Sequence, residues 1–401
     1  MSDAFRPSDV ITARFELSAP MFSGQEGDKG SAEIRPTEIK AALRFWWRAL
    51  AWGRGVRTPQ ALKEQEDALF GAAADEGRNG AGGRGQGAFL LRVRSDRVRR
   101  IDPGTSLPML FTQKAGQRQP TADAVAGAQY AGYGLIATGK KPTTMRPGIH
   151  AGNTFDVILL PRPTLTTARK AQLLQAVKLF GLLGGIGGRV RRGFGSVTLR
   201  KLIVDGRLTD GPADIDDYIA EVQELMPTAN TSGEPDWTAF FGTPSGMGTL
   251  CGITSDVCAS PLSVIGAFGH GLKSYRKDLK AGVPQKIALG LPQHHKGSSE
   301  LSTLEAGKKQ GRRASPVMLH VHRLSDGYVG VVTVFPGRFL PDDARIAVFP
   351  SGGSPQIQSH RRLHASDAIG VLGGPALPVS ARGPIKIEDQ DMIFAGQVTD
   401  A

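Results

Sequence analysis

The sequence predicts an α+β protein of two RRM-like (ferredoxin-like, βαββαβ) domains carrying insertions and a glycine-rich loop. Three observations predict it. The first 205 of the 401 residues read in the order β-α-β-β-α-β, a loop of glycine and arginine joins the last helix of that set to its last strand, and a helix followed by a hairpin comes after an acidic stretch. At roughly 100–200 residues per domain, this length holds two domains, three at most.

The elements follow in order. Residues 10–17 put Ile11, Ala13, Phe15 and Leu17 on one side and Thr12, Arg14 and Glu16 on the other, the alternation of a strand. Pro36 starts a helix through about Trp52, with Ile39, Leu43, Trp46 and Leu50 at helical spacing. Residues 88–94 and 154–160 read as the two middle strands, 166–183 as the second helix with Leu173, Leu174, Val177 and Phe180 inward, and 196–204 as the closing strand. Two insertions interrupt the set. Residues 77–87 hold six glycines in eleven positions and predict a mobile loop. Residues 101–150 are too long for a hairpin loop, and such excursions are usually functional or disordered.

The domains are expected at 1–205 and 246–401, separated at 206–245. Residues 202–240 carry nine acidic side chains against the single cation Arg207, the composition of a linker or a solvated helix and the wrong sign for contacting a polyanion. In the second domain, 261–280 read as an amphipathic helix despite three glycines, and 316–323 with 328–335 as a β-hairpin around Ser325-Asp326-Gly327. From about residue 341 the pattern is weak.

Composition narrows the function. Hydrophobic residues make up 40% of the chain, enough for a core, and 49 Lys and Arg against 37 Asp and Glu leave a net charge of +12. Such a surplus favours a polyanionic partner. Cys251 and Cys258 make neither a disulfide framework nor a CxxC metal pair. No apolar run approaches the ~20 residues of a membrane span, so a cytoplasmic protein is expected.

Two constellations can carry binding chemistry. On the helix at 36–52, Lys40, Arg44 and Arg48 recur at i, i+4 and i+8 with Trp47 beside them and Arg35 just before Pro36. Cations about 6 Å apart match a phosphate backbone, and an exposed Trp would stack on a base; an ordinary solvated face with Trp47 in the core is the alternative. The second is 184–195, GGIGGRVRRGFG. Its glycines allow close backbone approach and N–H groups converging on one anion, while Arg189, Arg191 and Arg192 add charged donors. It follows a helix and precedes a strand, the reverse of a dinucleotide-binding loop. His320 and His322 share one strand face but have no further metal ligands at suitable spacing, so no metal or cofactor is expected.

These residues also carry a family resemblance. Ser18-Ala19-Pro20-Met21-Phe22-Ser23-Gly24, Glu33-Ile34-Arg35-Pro36, Ile39-Lys40 and Leu43-Arg44-Phe45-Trp46-Trp47-Arg48-Ala49 are similar to the RAMP superfamily, and within it to the first RAMP subunits of type III-B (Cmr) CRISPR effector complexes. So are Gly187-Gly188-Arg189-Val190-Arg191-Arg192-Gly193-Phe194-Gly195 and, further on, Leu289-Gly290-Leu291-Pro292 with Arg312-Arg313-Ala314-Ser315-Pro316. Residues 77–150 and those after about 341 lie outside the resemblance. It implies a non-catalytic antiviral-defence subunit that holds the 3′ region of a guide (CRISPR) RNA and the target RNA paired to it. Its partners would be other RAMP and small subunits, one of which cuts the target. The RNA-binding residues would be Arg35, Lys40, Arg44, Trp47, Arg48, Gly187, Gly188, Arg189, Arg191, Arg192, Gly193 and Gly195, with Arg312 and Arg313 in the second domain. The alternative is a metal-independent endoribonuclease that processes guide RNA with a histidine as general acid/base, His150 or His270 being those that folding could bring near the loop.

Overall fold

In β1 (Ile11–Leu17) the side chains of Ile11, Ala13, Phe15 and Leu17 are wholly buried and Arg14 is exposed, so the alternation in the sequence is the alternation of the strand. The structure, a computed structural model, describes residues 10–22, 31–72, 85–95, 98–111, 119–226, 233–242, 249–254, 256–278, 287–291, 293–294, 300–305, 308–309, 312–335, 345–349, 356–358, 377–380, 383–385 and 392–395. After β1 come β2 (Met21–Phe22), α1 (Pro36–Ala51), α2 (Pro59–Phe70), β3 (Phe89–Ser95), β4 (Arg100–Ile101), α3 (Leu107–Phe111), α4 (Ala122–Ala131), β5 (Gly148–Ile149), β6 (Thr154–Pro161), α5 (Thr167–Leu183), β7 (Val197–Val204), β8 (Arg207–Asp210) and α6 (Ile215–Leu225). The second half holds β9 (Leu250–Ile253), α7 (Pro261–Asp278), β10 (Gln293–His294), β11 (Glu300–Glu305), β12 (Lys308–Lys309), β13 (Val317–Arg323), β14 (Tyr328–Val334), β15 (Arg345–Phe349), β16 (Gln356–Gln358), β17 (Leu377–Ser380), β18 (Gly383–Ile385) and β19 (Met392–Ala395).

The first sheet runs β3-β6-β1-β7-β8 with every pair antiparallel. Of the four strands expected within residues 1–205, the second, third, first and fourth therefore lie side by side in that order. Helices α1 and α5 cover one face and meet Phe15, whose ring lies 5.6 Å from Phe155 and 5.0 Å from Phe180. Burying each such ring contributes about 1.5–3 kcal/mol. A second antiparallel sheet runs β13-β14-β9-β19, and counted along the chain its strands take the same order: second, third, first, fourth. Its hairpin pairs Val317 with Val334 through Arg323 with Tyr328, as the sequence predicts. Strands β10, β11, β12, β15 and β16 form a further sheet, and β2-β5-β4 and β17-β18 two small ones.

The two halves join along the free edge of β13. Hairpin pairing with β14 leaves alternate N–H groups of β13 facing away, and each must find an acceptor if it is buried. Leu319 N–H donates to the Arg191 carbonyl (3.1 Å), Val321 N–H to Ser196 Oγ (3.0 Å) and Arg323 N–H to Thr198 Oγ1 (3.0 Å). Ser18 Oγ–H returns a bond to the Val321 carbonyl at 2.5 Å. The stretch from the glycine loop into β7 thus caps the edge of the second sheet.

Two expectations change. Residues 101–150 are not a structureless excursion: β4, α3, α4 and β5 lie within them, and α4 packs against α7. A Cβ built on Gly127 would stand 1.8 Å from the Gly266 carbonyl oxygen, and one on Gly269 would stand 2.0 Å from the Gly127 carbonyl oxygen. The glycines that weakened the sequence pattern of α7 are what lets the two backbones touch. The acidic stretch, expected as a linker or a solvated helix, does hold a helix, but one with a buried face. β8 extends the first sheet, and α6 buries Tyr218, Val222 and Leu225. Asp214 caps that helix by accepting from Asp217 N–H (2.9 Å), and Asp216 and Asp217 sit in its first turn, where the helix dipole favours negative charge. Of residues 77–87, expected to form a mobile loop, 77–84 lie outside the described residues, whereas Gln86 bridges to Gly71 and Ala72 N–H donates to the Gly85 carbonyl at 3.2 Å.

Candidate nucleic-acid interface

The loop between α5 and β7 is closed by backbone bonds rather than left open. Ile186 N–H donates to the Gly195 carbonyl (2.9 Å), Gly188 N–H to that of Phe22 (2.9 Å), Gly195 N–H to that of Pro20 (2.9 Å) and Gly193 N–H to that of Val190 (3.0 Å). These donors are taken, which corrects the expectation of N–H groups converging on one anion. The glycines serve the packing instead. At Gly193 (φ 85°) a Cβ would meet Leu319 Cδ2 at 2.8 Å and Ile265 at 3.1 Å, and at Gly195 it would meet the Ile186 carbonyl oxygen at 1.9 Å.

What the loop presents is its arginines, and each does something different. Arg191 donates from Nη1 to the Ser315 carbonyl at 2.6 Å, lies 5.6 Å from the Phe45 ring, and is lowered below the usual guanidinium pKa by burial. Arg192 packs over the Phe268 ring at 5.9 Å, and its buried Nη1 has no hydrogen-bond partner among the described residues. Burial foremost, together with the positive charges of Arg276, Arg189 and Arg191, pushes Arg192 down to about 10. Arg189 adopts left-handed backbone (φ 60°), a conformation that costs a non-glycine residue energy and often marks a functional site. Its Nε donates to the Tyr133 carbonyl at 2.8 Å, and its guanidinium stands 6.0 Å from the Tyr133 ring. Burial lowers its pKa first, then the charge of Arg312, with a further contribution from Arg146.

Arg312 is exposed, and its charge is one of the influences that lower Arg189. The place of Arg313 is set by its main chain. Its backbone exchanges both hydrogen bonds with Leu291, at 3.0 and 2.9 Å. Among the described residues neither Arg189 nor Arg312 forms an ion pair with a carboxylate.

The cations of α1 form a separate group. Trp47 is wholly buried, its Nε1–H donating to Gln172 Oε1 at 3.1 Å, so no face remains for a base and the stacking expectation is corrected. Its place on the buried side was hidden because Trp46 and Trp47 adjoin and both sides of the helix are covered. Arg44 and Arg48 converge on Glu66 of α2, at 3.3 and 3.4 Å, and Arg44 also donates to the Gly71 carbonyl. The pair ties α1 to α2. Lys40 is lowered by partial burial, then by Arg44 and Arg162. Arg35 is the N-cap of α1, its carbonyl accepting from Glu38 N–H (3.1 Å) and Ile39 N–H (3.2 Å). Arg191 over Phe45 is where the loop reaches α1.

Sequence reasoning missed Tyr133, Arg146 and Arg276, which sit far along the chain from the loop. For Tyr133 and Arg146 the one available signal was the length of the excursion at 101–150. His320 and His322 are buried side by side, Nε2 to Nδ1 3.3 Å, with His320 Nδ1 3.0 Å from the Gly184 carbonyl. Burial pushes His320 down to about 3 and His322 well below the usual range. His150 is lowered by burial and then by Arg99. Among the described residues no cluster of three or more His, Cys, Asp or Glu could hold a metal ion, and no helix is long and apolar enough to cross a membrane.

Known proteins resemble this chain over most of its length. Residues 14–198 match the RAMP superfamily. The CRISPR system Cmr subunit Cmr1-1 of Pyrococcus furiosus is 24% identical over 322 residues, covering 77% of this chain and 82% of that protein. The Cmr1-2 subunit of the same organism is 24% identical over 206 residues, 48% of this chain and 97% of that protein. Among solved structures, apo Cmr1 from Pyrococcus furiosus matches with a TM-score of 0.50 at 18% identity, covering 96% of this chain and 99% of that one, a likeness of fold.

Proposed function

We propose, from the premise that residues 14–198 belong to the RAMP superfamily and that the chain is a relative of Cmr1 subunits, that it is an RNA-binding, non-catalytic subunit of a type III-B CRISPR effector complex. In this reading it holds the 3′ region of guide RNA and the target paired to it, beside other RAMP and small subunits. The domains are RRM-like units at 1–205 and 246–401 joined through 206–245, a division supported by the strand order that recurs in both halves. The observation that carries the reading is Arg189 of the glycine loop, held in left-handed backbone with its Nε on the Tyr133 carbonyl at 2.8 Å and lowered by burial and then by the charges of Arg312 and Arg146. Neighbouring like charges repel one another, and a polyphosphate chain removes that repulsion while releasing counterions.

The test is purification of the chain with whatever accompanies it, followed by RNA sequencing and mass spectrometry. Guide RNA together with further RAMP and small subunits supports the reading. A preparation free of RNA that also fails to bind added guide RNA overturns it. Incubation with a labelled guide precursor, with and without divalent metal, should give no specific cleavage; cleavage abolished by His150→Ala or His270→Ala would establish the endoribonuclease instead.

A further inference from the structure

The base-stacking surface that Trp47 does not supply is present elsewhere. Among the described residues the exposed large apolar side chains are Leu90, Met109, Tyr133, Met145, Ile203, Leu208 and Val257, and Tyr133, 65% exposed, is the one aromatic among them. It sits just beyond α4, two residues from the end of a helix whose backbone is locked against α7 through Gly127, Gly266 and Gly269. Its carbonyl accepts from Arg189 Nε at 2.8 Å, and its N–H donates to the Tyr130 carbonyl at 3.4 Å. The next turn is anchored as well: Leu135 is buried and would lie 3.0 Å from a Cβ on Gly188 of the glycine loop, and Leu135 accepts from Met145 N–H at 2.8 Å. The backbone under the ring is thus fixed to both the loop and α7 while the ring stays in solvent. A ring held this way loses little freedom on binding, which is what a stacking platform needs.

We propose that Tyr133 stacks on a base of single-stranded RNA, with the ring's position set by Arg189 and the exposed Arg312 holding a neighbouring phosphate. This rests on the RNA-binding reading above and adds the residue that engages a base. A phenol ring takes any base on its π face, so the contact is tolerant of sequence. The guanidinium of Arg189 beside the ring and the exposed Lys140 and Lys141 on the same insertion favour a polyanion, whereas an apolar protein partner would leave these charges uncompensated.

The test uses the full chain and a uridine-rich single-stranded RNA of about 12 nucleotides carrying 2-aminopurine, whose fluorescence is quenched on stacking. Binding of the unaltered protein should quench it. Tyr133→Ala should abolish the quench and weaken binding roughly 5- to 150-fold, the range for loss of one base stack, while leaving the slope of log affinity against log salt unchanged. Tyr133→Phe and Tyr133→Trp should restore both. Arg312→Ala is the control, because it should lower affinity and make that slope shallower. If Tyr133→Ala binds and quenches as the unaltered protein does while Arg312→Ala weakens binding, the stacking proposal fails and the RNA-binding reading stands. If the unaltered protein binds no RNA, both fail. If Tyr133→Ala leaves RNA affinity intact but loses a co-purifying protein, the ring belongs to a protein interface and the proposal is overturned.

Discussion

Arg191 and Ser315 stand 124 residues apart in sequence and are joined by one bond of 2.6 Å from the guanidinium to the backbone carbonyl. The same arginine gives its own carbonyl to Leu319 N–H and lays its guanidinium beside Phe45 of α1. It therefore belongs to the seam between the two sheets. Arg191→Ala should destabilise the protein by about 1.5–3 kcal/mol, the value of a hydrogen bond from a charged donor, read as a lower urea midpoint. An unchanged midpoint would show that the bond contributes nothing net.

Glu66 is 8% exposed and has two guanidinium partners, Arg44 and Arg48. With one partner left the carboxylate stays compensated, and both arginines are partly solvated, so each single change to Ala should cost about 1 kcal/mol or less. Removing both leaves a buried charge and should cost about 3 kcal/mol or more, exceeding the sum of the singles. Adding Glu66→Gln to the double variant should recover most of the loss. A double-mutant cycle by urea denaturation measures this, and strict additivity would contradict it.

The buried His320 and His322 set a pH dependence. Their folded pKa values lie below the unfolded value of about 6.5, His320 at about 3, so over the interval between them the unfolded chain binds more protons. The stability they contribute is complete above about pH 6.5 and declines as pH falls from there toward about 3, by up to ~1.4 kcal/mol per pH unit for each ring. Urea titrations between pH 6.5 and 5 should show this slope, and His322→Phe, which keeps a ring against Tyr218, should roughly halve it. A slope indifferent to that substitution would place the titration elsewhere.

The crossing of α4 and α7 allows no side chain at Gly127, where a Cβ would stand 1.8 Å from the Gly266 carbonyl oxygen. Gly127→Leu should force the helices apart, cost on the order of 2 kcal/mol or more and open residues 101–150 to limited proteolysis. Resistance to protease equal to that of the unaltered protein would mean that the insertion is held by other contacts.

Much of the first half was legible because its signals are local. The period of two in β1, Pro36 at the start of α1 and the stripe Ile39-Leu43-Trp46-Leu50 are each written within one element, and their limits fall within a residue or so of those observed. The site was legible only in part, because its geometry is long-range. Nothing near Arg189 in sequence points to Tyr133, and nothing near Arg44 points to Glu66. Trp47 was misleading for a similar reason: helical spacing sorts residues onto faces, but which faces are covered depends on α2 and α5. The glycines of α7 read as a defect until α4 was seen lying against them.

The central claim is that Arg189 and Arg312 bind the phosphates of RNA, and the salt dependence of affinity tests it most directly. Log affinity of the full chain for single-stranded RNA should fall linearly with log salt, at about −0.7 per phosphate contacted. Arg189→Ala combined with Arg312→Ala should make that slope shallower by about 1.4 and lower affinity. An affinity flat from low to high salt, or a slope that the paired substitution leaves where it was, would contradict the account.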